Sequence, residues 1–103
     1  MPITVGRWER RDNAGLEAFG DAAFAYCRAS KAQKGVHSSR FYWLSTDQIV
    51  VQTEFDSPEA QNQQPSPAVA KALFALADTA RAVDLERWMD PAQGQATYRA
   101  AQR

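Results

Sequence analysis

Two kinds of periodicity alternate along this chain, and their order constrains its fold more than any other feature. Ile3 to Arg10 (ITVGRWER) alternates at a period of two and carries β-branched and aromatic residues, which predicts a strand. GLEAFGDAAFAYCRASKA then sets Leu16, Phe19, Ala23 and Tyr26 at spacings of three and four, an apolar helical stripe. Asp12 or Asn13 is placed to cap that helix, and Gly35 to end it. VHSSRFYWL and QIVVQTEF return to strand character, joined by Ser45-Thr46-Asp47, a hairpin link. Ser57-Pro58 and Ser66-Pro67 both read as an N-cap followed by proline at the first helical position, where its missing N–H costs nothing. The first predicts a short helical turn, the second a full helix with the stripe Val69, Leu73, Leu76 and Ala80. AVDLERWM, residues 82–89, is strand-like again. Asp90-Pro91 repeats the capping signal and predicts a last short helix through Tyr98, although Gly94 works against it.

The order is β-α-β-β-α-β. Right-handed crossovers then place the strands 4-1-3-2, each antiparallel to its neighbours, with both helices on one face: an α+β ferredoxin-like sandwich. The 103 residues suit one domain, 1–103, with a short C-terminal tail from about residue 91. Such a chain buries roughly 65% of its unfolded surface without staples. In this topology VGRWERR and VDLERWMD lie side by side as the first and fourth strands.

Parity sorts the strand residues into two faces. One row holds Ile3 and Val5; Ile49, Val51 and Phe55; Val83, Leu85 and Met89, and is expected under the helices. The other holds Thr4, Gly6 and Trp8; Val50, Gln52 and Glu54; Asp84, Glu86 and Trp88. The second strand is ambiguous, since His37, Phe41, Trp43 and Val36, Tyr42, Leu44 both make plausible inward sets. A face left to water rarely carries two tryptophans, and a dry core does not hold unpaired glutamates. The expectation is a homodimer in which two open sheet faces meet around a partly wet cavity.

Composition narrows the partners. Twelve basic residues balance twelve acidic ones, so no net field gathers nucleic acid or anionic lipid. The RNA-recognition fold shares this element order, but QIVVQTEF lacks its basic-Gly-aromatic signature. No stretch approaches the roughly 18 apolar residues of a membrane span, and MPITVGRWER lacks the apolar run of a signal peptide. A single cysteine, Cys27, forms no internal disulfide and reads as core. These features predict a cytoplasmic protein. The glycines form no phosphate-binding loop, Ser38-Ser39 lacks a Gly-x-Ser-x-Gly setting, and one His with one Cys does not make a zinc site.

GVHSSRFYWLSTDQIVVQTEFDSPEA followed by PSPAVAKALFALAD resembles the dimeric α/β-barrel superfamily, specifically small proteins of the antibiotic-biosynthesis-monooxygenase type. The shared pattern is a glycine-led strand, a short turn, an aliphatic strand ending in aromatic-acid-Ser, then "xEA" and a proline entry into the second helix. It covers Ile3 to about Met89. The resemblance implies a homodimer and a small hydrophobic or aromatic, even polycyclic, metabolite, bound or oxidised without metal, flavin or other cofactor. Many members carry a histidine between the third strand and the second helix, where this chain has Gln63, which takes up no proton.

His37, the only histidine, and Glu54 are the candidate catalytic residues: one titrates near neutrality, and the other is a carboxylate on the second row. Trp8, Tyr42, Trp43, Gln52, Glu86 and Trp88, with Gln63, are the candidate substrate-binding residues. The alternative is a non-catalytic homodimeric ligand-binding or association module, its aromatics filling the interface and its carboxylates paired with Arg7, Arg40 or Arg87. A third reading, haem binding through His37, is weaker still.

Overall fold

The structure, a computed structural model, describes residues 1–101. Its elements are β1 (Ile3–Arg10), α1 (Leu16–Ala32), β2 (Val36–Trp43), β3 (Gln48–Phe55), α2 (Pro58–Gln61), α3 (Pro67–Thr79), β4 (Ala80–Trp88) and α4 (Pro91–Ala101). The strands form one antiparallel sheet in the order β2-β3-β1-β4, which is the expected ferredoxin-like arrangement.

Capping explains most boundaries. Ser57 Oγ accepts from the Ala60 N–H at 3.1 Å and Ser66 Oγ from the Val69 N–H at 3.2 Å, each with proline inside the first turn. Asp90 Oδ1 accepts from the Gln93 N–H at 2.8 Å, so α4 forms despite Gly94 and runs past Tyr98 to Ala101. The start of α1 corrects the sequence expectation. Neither Asp12 nor Asn13 caps it; Gly15 stands at the N-cap with no side-chain bond. Residues 11–14 are used instead in a turn closed by the Ala14 N–H on the Arg11 carbonyl at 3.0 Å, and the Arg10 guanidinium holds the Ala14 carbonyl at 2.8 Å.

The core lies between the sheet and the helices α1 and α3: Phe19, Ala23 and Cys27 of α1, Ile49 and Val51 of β3, and Leu76 with Ala80. Trp8, Tyr26 and Phe41 pack against its margin. Residues that pair directly across an antiparallel ladder share a face. Thr4 pairs with Thr53, Gly6 with Val51 and Trp8 with Ile49, so Thr4, Gly6 and Trp8 face the helices. Ile3 and Val5 pair with Glu54 and Gln52 and lie on the open side. The expected faces of β1 are therefore exchanged. The physical reason is register: a one-residue choice moves every side chain of a strand across the sheet, and the pairing of β1 with β3 turns Trp8 toward the helices with Ile49 and Val51.

Two irregularities reset parity elsewhere. In β2 the register shifts between Val36 and Ser38. Val36 pairs with Phe55, while Phe41 pairs with Val51 and Trp43 with Ile49, so the inward set is Val36, Phe41 and Trp43 and neither expected set is intact. In β4 the shift falls between the partners of Arg7 and Trp8, which face Asp84 and Ala82. Val83 is the extra residue, and a bulge of this kind twists an edge strand. Beyond it Asp84, Glu86 and Trp88 lie on the open face, as expected.

Candidate functional site

A cleft opens between the sheet and the helices α1 and α3. It has two adjoining lobes that share Thr4, Tyr26 and Thr53. The apolar lobe, about 250 Å³, is bounded by Gly6, Trp8, Val51, Leu73, Ala82 and Leu85, with Asp84 at its β4 edge. Its shape depends on Gly6: a Cβ there would stand 3.4 Å from Trp8 Nε1 and 3.7 Å from Leu85 Cδ1, closing the space between indole and edge strand. Leu85 remains 67% exposed, so this lobe is open along β4.

The second lobe, the more polar of the two at about 150 Å³, lies toward the other end of the sheet; Val36, Phe55, Pro65 and Val69 make most of its wall, and Ser30 of α1, Gln33, and Gln61 and Gln63 beside α2 supply its polar groups. Gly35 brings these groups together. Its φ of +89° lets the chain turn sharply after α1, and its Cα approaches so closely that a Cβ would lie 2.8 Å from that of Ala60 and 3.4 Å from Gln63 Nε2. Gln61 Nε2 donates to Thr4 Oγ1 at 3.0 Å, and the Ser66 N–H donates to Gln33 Oε1 at 2.7 Å, tying link, helix and sheet into one wall. At the waist, burial pushes the Tyr26 phenol pKa up, with contact to the Ser30 side chain opposing it, so the hydroxyl stays protonated.

The sequence-derived candidates separate into three places. Trp8 borders the apolar lobe and Gln63 the polar one. Trp43 lies at the far edge of the helix-facing side, edge-on to Phe19 at 5.6 Å and to Phe41 at 5.9 Å between ring centroids. Tyr42, Gln52, Glu54, Glu86 and Trp88 lie on the open face. There Trp88 Nε1 donates to Glu86 Oε2 at 2.7 Å. His37, at the β2 irregularity, stands with Nε2 3.6 Å from Glu54 Oε1 and Nδ1 3.9 Å from Asp56 Oδ1, and its side chain is 53% exposed. The two candidate catalytic residues are thus close to each other but border neither lobe. Among the described residues, no three His, Cys, Asp or Glu side chains gather as a metal site.

Sequence reasoning passed over Tyr26, Ser30, Gln33, Gln61, Leu73 and Leu85. Tyr26 and Leu73 sit on helical stripes that read as core. The glutamines carry a fainter signal: Gln33 ends one helix and QNQQPSP opens the approach to the next, so a topology that brings those ends together also gathers their amides.

The helix-covered sheet and its cleft define an α+β protein with a ferredoxin-like fold, which solved structures of antibiotic-biosynthesis-monooxygenase-like proteins share. Among solved structures, it is similar to SnoaB, a cofactor-independent oxygenase from Streptomyces nogalater, with a TM-score of 0.75 and 11% identity over 87% of this chain and 92% of that one. It is also similar to Rv0793 from Mycobacterium tuberculosis, with a TM-score of 0.70 and 19% identity over 87% of this chain and 95% of that one. A candidate antibiotic biosynthesis monooxygenase from Nitrosomonas europaea gives a TM-score of 0.72 and 12% identity, over 88% and 99% of the two chains. At such identities the likeness is one of fold. No protein-family model matches the sequence, and no curated protein is similar to it.

Proposed function

We propose that this chain forms a homodimer and binds a small hydrophobic or aromatic molecule in the cleft between sheet and helices, in the manner of a cofactor-independent monooxygenase-like protein. The observation that carries this reading is the apolar lobe, where an indole and two leucines line a space joined to a polar end. A cleft that is mostly apolar with a few converging polar groups is the common form of a small-molecule site. The homodimer is supported by the open face, where Ile3, Val5 and Val50 are incompletely buried and Tyr42 and Trp88 are 48% and 46% exposed.

A non-catalytic binding role is the second reading, and a specific observation favours it. Oxygenation without a cofactor starts by taking a proton from the substrate, and His37 and Glu54 do not border the cleft. Titration with planar phenols, followed by tryptophan fluorescence and by oxygen uptake, separates the readings. Saturable fluorescence change with oxygen consumption supports the oxygenase. Saturable change without consumption supports the binding protein. No response across a broad set of phenols removes the ligand site altogether.

A further inference from the structure

The single histidine stands on the helix-free side of the sheet, beside two carboxylates that have no other cation. His37 occupies the irregularity of β2, and its ring reaches Glu54 of β3 with Nε2 at 3.6 Å and Asp56, just past β3, with Nδ1 at 3.9 Å. Among the described residues, neither carboxylate has a lysine, an arginine or the terminal amine within 4 Å. The register sets Glu54 well inside that face. It stands between Ser38 on β2 and Ile3 on β1, and Ile3 stands opposite Trp88 on β4. The other charges of the face lie further along the strands. Arg40 is opposite Gln52, and Arg7 lies between Val50 and Asp84. Glu86, opposite Val5, accepts from the Trp88 indole.

We propose that proton uptake by His37 controls the pairing of two open sheet faces, so that the homodimer tightens as the pH falls from about 8 to about 6. This rests on the homodimer proposed above and names its regulation. A second sheet laid over Ile3 and Trp88 also covers Glu54, whose side chain is 31% exposed in the single chain. Covering a carboxylate is costly unless a cation is covered with it. A neutral imidazole supplies no charge for that purpose. The imidazolium does, and both its nitrogens then donate, one toward each carboxylate. Association therefore draws a proton onto each His37, and by linkage a lower pH favours the associated state. The contribution is present in full at the acid end of this window and is lost as the pH rises through it.

Sedimentation equilibrium of the full chain at about pH 6, 7 and 8, at constant ionic strength, is the test. The wild type is expected to associate at least about tenfold more tightly at the lowest pH than at the highest. His37→Gln stays neutral and is expected to keep the weaker constant throughout; His37→Lys stays charged and is expected to keep the tighter one. Glu54→Gln removes the group that needs the proton, so its dimer is already tight at the highest pH. A wild-type constant that does not change with pH, or a pH dependence that survives in His37→Gln, overturns the switch and leaves the dimer standing. So does a weaker Glu54→Gln dimer at the highest pH, because an arginine of the second copy is then the partner of Glu54. If no association appears at any of the three pH values, the homodimer itself falls, and the switch with it.

Discussion

Gly35 shows how much one residue can set in this chain. Its left-handed backbone and the 2.8 Å approach of a notional Cβ to Ala60 leave no room for a side chain. Its carbonyl also accepts the Asp56 N–H at 2.8 Å, joining the start of β2 to the end of β3. Gly35→Ala is expected to destabilise the fold by about 1–3 kcal/mol, read from the urea midpoint, with the strained backbone and the clash as causes. The same residue scale holds one clear electrostatic device. Arg81 reaches Glu9 Oε1 through Nη2 at 2.6 Å and Nε at 3.1 Å, and these bonds, with a further one from Gln48, hold the Glu9 carboxyl below its ordinary 4.5. A depressed carboxylate contributes stability above its ordinary range and loses it as the pH falls through the lowered value, so any contribution here disappears only in acid below 4.5. Arg81→Ala should return the Glu9 titration toward its ordinary position, observable by NMR of the side-chain carboxyl, with little change in stability because the pair is exposed.

At the scale of elements, the helices differ in how they begin. α3 is capped by Ser66, which also donates its N–H to Gln33, so the cap joins the helix to the polar lobe. Ser66→Ala removes the side-chain acceptor but leaves that backbone donor, and is expected to cost about 1 kcal/mol in chemical denaturation. α1 starts on Gly15 without a side-chain cap and relies on packing, with Phe19 and Ala23 fully buried. β4 is the opposite case: after Ala80 its residues are exposed, and its attachment is the ladder to β1 rather than burial. That weak cover is what leaves the apolar lobe open along Leu85.

For the whole molecule, the question is what covers the helix-free side of the sheet. If the homodimer proposed above forms, sedimentation will report twice the 11.5 kDa of one chain. Val50 lies on that side between Tyr42 and Arg7, its ladder partners. Val50→Glu places a carboxylate beside Arg7, which a single chain tolerates, but desolvates it if two faces meet. The expected outcome is a particle of single-chain mass with unchanged far-ultraviolet circular dichroism. Wild-type protein that already sediments as one chain at micromolar concentration excludes the dimer.

The order of elements was legible in the sequence because it rests on local periodicity and on Ser-Pro and Asp-Pro signals that act within a few residues. From that order alone the strand arrangement followed. The faces of β1 and β2 did not, because a register and a bulge are set by partners that arrive from distant parts of the chain, and a shift of one residue reverses every side chain. The site depended on those same choices. Trp8 borders the cleft only because β1 took the register that buries it, and the glutamines at 33, 61 and 63 became one wall only when Gly35 folded the end of α1 against α2. Sequence determined which local structures form; tertiary packing alone decided which side of each strand meets the helices, and hence which residues enclose the space between them.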